Sequence, residues 1–236
     1  MVTDIDDTLK VSRIISRGER LDQAHQLLLE TDAFSGSRTL LDALDREGAE
    51  IVYLSAAPRV VSVLQKKFLK KNHFPQREHL ILKSSPRADS FAYKVRAVSE
   101  LVKSHPGFEF IFIGDNAEKD VAAYAAVTKA NPTLTIHTFI HELYAGKPSA
   151  PITRDQTAFL TFAEVSVYLA SLGIIGNQLP NLLEQETLSD LDNCKTKELA
   201  LPEYVEINTT DLDRLESDLP FPLTNLFQKL RMHLNH

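Results

Sequence analysis

Short apolar runs alternate along this chain with longer stretches whose apolar residues recur at helical spacing. The runs cover residues 1–5, 51–55, 80–83, 108–113 and 134–140. Each is short and mostly apolar, as expected of a strand. Helical patterns fall between them. Residues 21–29 are apolar on one side. Residues 38–46 are opened by Ser35 or Ser37 and closed by Gly48, a usual pair of helix signals. Pro58 opens residues 59–71 from the first-turn position that proline tolerates. Residues 90–102 and 119–129 complete the series. Strand and helix in alternation predict an α/β fold, a three-layer sandwich around a mainly parallel sheet. Between Thr8 and Ser55 there is also a hairpin-like stretch, residues 11–19 around Gly18, which predicts a short flap.

The alternation stops past Pro148 and Pro151. Residues 159–175 read as a buried helix, residues 177–220 as mostly irregular, and Leu223, Leu226, Phe227, Leu230 and Leu234 form a helical stripe. This stripe suits docking on the protein's own core better than a membrane or a partner. The organisation predicted is a domain over residues 1–150 and a helical and irregular extension over 151–236.

Charge sharpens that division. Of the 26 Lys and Arg and 32 Asp and Glu, residues 1–150 hold 20 and 19, a net +1, and residues 151–236 hold 6 and 13, a net −7. A near-neutral front and an acidic tail do not favour nucleic-acid binding. Cys194 is the only cysteine, so no intrachain disulfide forms. No run is long and apolar enough for a transmembrane segment, and no signal peptide is visible. These features favour a cytoplasmic setting. Only three residues precede Asp4, short for a strand, which points to residues missing upstream.

The candidate chemistry sits at strand ends. Asp4, Asp6 and Asp7 crowd three carboxylates into four residues, followed by Thr8. Such a group is stable when a cation or a shared proton relieves the repulsion. The pattern suits phosphoryl transfer, with Asp4 as nucleophile and Asp6 as acid and base, and it would also suit a turn or a helix cap. Ser55 closes a second strand before a helix, where its hydroxyl and the nearby backbone, including that of Ala56, could bind phosphate or simply cap the helix. Gly114 and Asp115 end another strand, with Asn116 or Asp120 as outer support for a hard cation. Lys94 lies near a helix start, where it could face a phosphoryl group or only solvent. Lys83, at a strand end, competes for that role.

These segments, in this order, resemble the haloacid-dehalogenase-like phosphatase superfamily, over about residues 1–140. The finer patterns, Asp4-Ile5-Asp6-Asp7-Thr8-Leu9-Lys10, Tyr53-Leu54-Ser55 with Pro58, and Ile113-Gly114-Asp115, are similar to the phosphatidate phosphatase catalytic-domain family named for a fungal actin-patch protein. Asn116 stands where that branch leads one to expect Ser, and Tyr93 where His is expected. The resemblance implies a sheet order of 5-4-1-2-3 and a phosphatase that works through an aspartyl-phosphate with Mg²⁺. It also implies catalytic roles for Asp4, Asp6, Ser55 and Lys94, phosphate contacts from Thr8, Ser55, Ala56 and Lys94, and metal binding by Asp4, Asp6, Asp115 and Asp120. Neither the stretch from Thr8 to Ser55 nor that from Ser55 to Lys94 leaves room for a capping domain of about 50 residues. An open site admits a phosphate ester on a bulky partner, a lipid at a membrane surface included. A phosphoprotein or a small metabolite as substrate, and a non-catalytic binding module, are the alternatives.

Three features stand apart. Lys66, Lys67, Lys70 and Lys71 form a basic helix face, read as solvated, though it could attract anionic lipid head groups. His137 and His141 are spaced i,i+4 but fall on a strand, so no metal pair is expected. Asn208-Thr209-Thr210 is a glycosylation sequon, meaningful only in a secreted eukaryotic chain.

Overall fold

The computed structural model describes residues 1–12, 32–85, 87–117, 119–144, 150–203 and 205–234. The helix expected at 21–29 and most of the flap expected at 11–19 lie outside the described residues. Six strands form one sheet: β1 (Val2–Thr3), β2 (Val52–Pro58), β3 (Leu80–Lys83), β4 (Phe110–Asp115), β5 (Ile136–His141) and β6 (Thr157–Phe159). Their order is β3-β2-β1-β4-β5-β6, with every neighbouring pair parallel. The expected order 5-4-1-2-3 is present, extended by one strand beside β5.

Alternation along β4 explains how the sheet is covered. Phe110 and Phe112 face one layer, and Ile111 and Ile113 the other. The first layer is α3 (Ser90–Ser104) and α4 (Asp120–Ala130), which bury Val98, Val102, Val121 and Tyr124 on Phe110, Phe112, Leu54 and Ile140. Asp89 caps α3, accepting from the Ala92 N–H at 2.7 Å. The second layer holds α1 (Ser37–Arg46), α2 (Ser62–Lys71) and α5 (Phe162–Ser171). It continues with α6 (Leu179–Asp192), α7 (Lys197–Ala200), α8 (Thr209–Ser217) and α9 (Thr224–Leu234). Apolar side chains from all of these join Ile5, Tyr53, Ile113, Phe139 and Phe159 in one core.

The sequence expectations need correction at several places. Residues 177–220 are largely helical: Pro180 sits in the first turn of α6 rather than breaking it. Asn208 caps α8, accepting from the N–H groups of Thr210 at 2.8 Å and Asp211 at 3.2 Å. The helix expected from Phe159 starts at Phe162, because residues 157–159 form β6. β2 continues past Ser55 to Pro58 through a register shift against β3, and a 3₁₀ turn, Arg59–Val61, precedes α2. α1 is capped by neither serine: Gly36 occupies the cap with φ +76°, where L side chains are strained. The stripe from Leu223 to Leu230 packs into the core, as expected. No helix among the described residues is long and apolar enough to cross a membrane.

Candidate active site

The parallel order places the carboxyl ends of β1 and β4 side by side. Thr3 pairs with Ile113, and the Asp4 N–H donates to the Ile113 carbonyl at 2.9 Å. Asp4 and Asp115 therefore emerge at one sheet edge, the usual place for ligands in open α/β sheets. Asp115 ends β4, and Asp120 opens α4 five residues later. That return is tight. A Cβ on Gly114 would lie 2.5 Å from Asp120 Cβ and 2.8 Å from Tyr124 Cε2, so only glycine lets α4 approach so closely.

Carboxylate oxygens of Asp4, Asp115 and Asp120 lie within 4.8 Å of one another, all buried. One cation reaches them from α3. Lys94, with no solvent exposure, sets Nζ 2.9 Å from Asp4 Oδ1 and 2.5 Å from Asp120 Oδ1. Lys83 instead donates to Ser90 Oγ at 3.1 Å, so of the two candidate lysines the fold brings Lys94 to the carboxylates. Asp115 accepts from the Ala117 N–H at 2.7 Å and from Thr8 Oγ1 at 3.3 Å. Burial holds the Asp115 carboxyl well above the usual carboxylate range, with Asp120 and Asp4 raising it further and Lys94 opposing. Three carboxylates around one ammonium, all dry, form a set of hard oxygen donors with excess negative charge. That set fits a divalent cation.

Asp6 turns to the other side. Its carboxylate is not one of the three. Oδ2 accepts from Gln65 Nε2 at 2.6 Å and from Ser55 Oγ at 3.5 Å, while Lys10 Nζ stands 3.5 Å from Oδ1. Ser55 also accepts from the Ala57 N–H at 3.1 Å, and Ala56 beside it is half-buried. Asp7 adopts φ +54° and is held by the Ser12 N–H at 3.1 Å and Tyr144 Oη at 3.2 Å. Asn116 does not join the acids. Its Oδ1 accepts from the N–H groups of Leu143 and Tyr144, and its Nδ2 donates to the Tyr144 carbonyl, so it pins the segment after β5. Tyr93 is pushed up to about 12 by burial and the Asp4 charge, and its hydroxyl has no hydrogen-bond partner among the described residues. Neither histidine approaches the acids with a ring nitrogen: His137 pairs with Glu109, and His141 lies between the Asp7 and Leu160 carbonyls. Burial lowers His141 to about 4.

Gln65 and Lys10 escaped the sequence reading. Gln65 had a usable signal, since it shares the buried arc of α2 with Phe68 and Leu69, and a polar side chain at a core phase asks for a partner. Geometry rather than cavity size marks this site. An apolar cavity of about 210 Å³, lined by Val52, Leu101, Phe110 and Ile174 among others, lies at the opposite, amino end of the strands.

Residues 1–142 match the family model described as "Phosphatidate phosphatase APP1, catalytic domain". The chain belongs to that family. The matched stretch of this phosphatidate phosphatase family spans every carboxylate described above, together with Lys94, Ser55 and Gln65. No curated protein matches the sequence. Among solved structures, a haloacid dehalogenase family hydrolase from Deinococcus radiodurans R1, with bound phosphate and sodium, is 14% identical. The match covers 74% of this chain and 96% of that one at a TM-score of 0.50, and it shares the fold. A class C acid phosphatase from Bacillus anthracis is 22% identical over 57% of this chain, with a TM-score of 0.40. Its tungstate-bound form is 21% identical, with a TM-score of 0.41. The chain spans 61% and 62% of the length of those two phosphatases.

Proposed function

We propose that this chain hydrolyses phosphate monoesters through an aspartyl-phosphate on Asp4, with Mg²⁺, and that it takes its phosphate from a bulky carrier such as phosphatidate. The observation that carries this reading is the buried meeting of Asp4, Asp115 and Asp120 around Lys94, with Asp6 two residues on and held apart by Gln65. The family supports the substrate class.

In the first step an Asp4 carboxylate oxygen attacks phosphorus. The bond to the leaving oxygen breaks, and Asp6 gives that oxygen its proton. In the second step water attacks the phosphorus of the aspartyl-phosphate. Asp6 takes the water's proton, the Asp4 carboxylate leaves, and inorganic phosphate departs. Ser55 and the backbone near Ala56 contact phosphoryl oxygens, and Thr8 steadies Asp115. Lys94 fixes Asp4 and stabilises charge on the phosphoryl group in a dry setting, where such interactions are strong. Asp4, Asp115 and Asp120, with the Asp6 backbone carbonyl, would hold the Mg²⁺, which as a hard Lewis acid would offset carboxylate and phosphoryl charge.

The test is a Mg²⁺-dependent assay on phosphatidate in mixed micelles, a phosphopeptide and a sugar phosphate. Phosphatidate should exceed the sugar phosphate in kcat/KM by more than ~10-fold, about 1.4 kcal/mol of transition-state binding. Asp4→Asn should abolish turnover, and a chelator should remove it reversibly. Near-normal turnover by pure Asp4→Asn would refute the nucleophile, and full activity after chelation would refute the metal. A preference for the sugar phosphate would refute the bulky carrier.

A further inference from the structure

We propose that the outer face of α2, with the 3₁₀ turn before it, docks on an anionic lipid surface beside the active site; this rests on the reading of a substrate carried at a surface. At helical spacing Val60, Val63, Lys66, Lys67 and Lys70 share one arc, and Gln65, Phe68 and Leu69 lie on the opposite arc. The two arcs are treated oppositely. Gln65, Phe68 and Leu69 are buried, whereas Val60 is 79% and Val63 70% exposed. Single exposed valines are ordinary. Here two of them stand on one arc with three exposed lysines, which make no ion pair among the described residues. Lys71, at the edge of the arc, is taken by Asp32 at 3.1 Å.

Position gives the face its meaning. The buried arc of the same helix delivers Gln65 to Asp6 at 2.6 Å, so the docking face and the site share one rigid element. Exposed Arg59 lies close enough to Tyr93 to lower its pKa, and Phe91, 38% exposed, stands on the first turn of α3 two residues before it. Apolar side chains set among cations suit the interfacial zone of a bilayer. The lysines meet anionic head groups there and the valines enter the acyl boundary. The chain's formal net charge is −6, so the cationic arc is a local feature rather than a consequence of overall charge.

The experiment sediments the full chain with vesicles of phosphatidylcholine, with or without phosphatidylserine. Phosphatidylserine is a phosphodiester and outside the proposed reaction. The chain should bind the mixed vesicles, ignore pure phosphatidylcholine, and release as salt rises. Val60→Asp with Val63→Asp, and separately Lys66→Glu with Lys67→Glu, should each weaken binding by ~10-fold or more. Both variants should keep wild-type thermal melts and turnover of p-nitrophenyl phosphate, and lose turnover of phosphatidate embedded in vesicles. No binding of the wild type to phosphatidylserine vesicles overturns the proposal, as does unchanged binding by both variants. A dimer in solution that only Val60→Asp with Val63→Asp dissolves overturns it too, because the face then belongs to a second copy. Vesicle binding without turnover of any ester would instead sink the proposed reaction and leave the docking face standing.

Discussion

Among the described residues, the helices on one face of the sheet are α3 and α4, while the other face carries α1, α2 and every helix that follows residue 160. The thin layer supplies the charged groups nearest Asp4. Lys94 comes from α3 and Asp120 from α4, and the two meet at 2.5 Å. The thick layer supplies Gln65, which donates to Asp6, and a large apolar core. Charge can be fixed in a dry place only by rigid neighbours, and the thin layer achieves this with large rings: Phe112 and Tyr124 pack at 5.2 Å beneath the carboxylates. The thick layer's contribution is mainly burial. The comparison therefore separates chemistry from mass, although the two share one sheet.

The hardest test of that separation is Lys94→Met. Removing the ammonium leaves three buried carboxylates facing each other, so turnover should fall on the order of 10⁴-fold, about 5.5 kcal/mol. The fold should also weaken, because breaking a buried pair leaves charge uncompensated. Mg²⁺ should raise the variant's Tm more than the wild type's. Wild-type kcat in this variant would take Lys94 out of the chemistry.

The counterpart in the thick layer is Phe227→Ala, which empties a fully buried ring site. Urea unfolding should show a loss of about 3–5 kcal/mol, with kcat per folded molecule unchanged. A parallel fall in kcat would mean that the layers are not separable.

Glu164 is next in size. It closes the capping box of α5, accepting from the Thr161 N–H at 2.6 Å, and burial raises it from 4.5 to about 7 while those N–H bonds hold it down. A carboxyl raised by folding favours the native state below its unfolded pKa. That stability is present below about pH 4.5 and disappears as pH rises through about 7. The loss is about 3 kcal/mol. Glu164→Gln should flatten the stability profile across this window, and an unchanged slope would assign the titration elsewhere.

The smallest effect belongs to Gln65→Ala. Turnover of esters with poor leaving groups should slow ~10-fold, about 1.4 kcal/mol, with KM little changed and good leaving groups less affected. An equal loss for all leaving groups would show that Gln65 does not act through Asp6.

What was legible in the sequence follows the same division. Asp4, Lys94, Asp115 and Asp120 could be picked out because each sits where an apolar run ends or a helical pattern begins, and because four such signals occur in order. Gln65 carried only the signal of a polar side chain at a core phase, since its partner Asp6 is set by how β1 and α2 pack, and Lys10, an i,i+4 neighbour of Asp6, was passed over inside the acidic stretch. β6 escaped because Thr157-Ala158-Phe159 is too short to alternate visibly. The helices after residue 177 were hidden by prolines read as breakers. Pro180 lies inside a first turn, and Pro202 and Pro220 fall in the gaps that flank α8.

β1 is only two residues long, yet it is paired on both sides, with Val52 and Tyr53 of β2 and with Phe112 and Ile113 of β4. Neither partner is local, so the segment bearing Asp4 gains its position only after loops of about 50 and 110 residues have closed. Until then Asp4 and Asp115 are far apart and solvated, and they repel no one. The repulsion between these acids therefore arises only when β1 pairs with β4. On the ribosome, Asp4 emerges before β4 and meets Asp115 only once β4 has followed it. Pulse-labelled hydrogen exchange during refolding should find the Asp4 amide, bonded to Ile113, among the last to be protected.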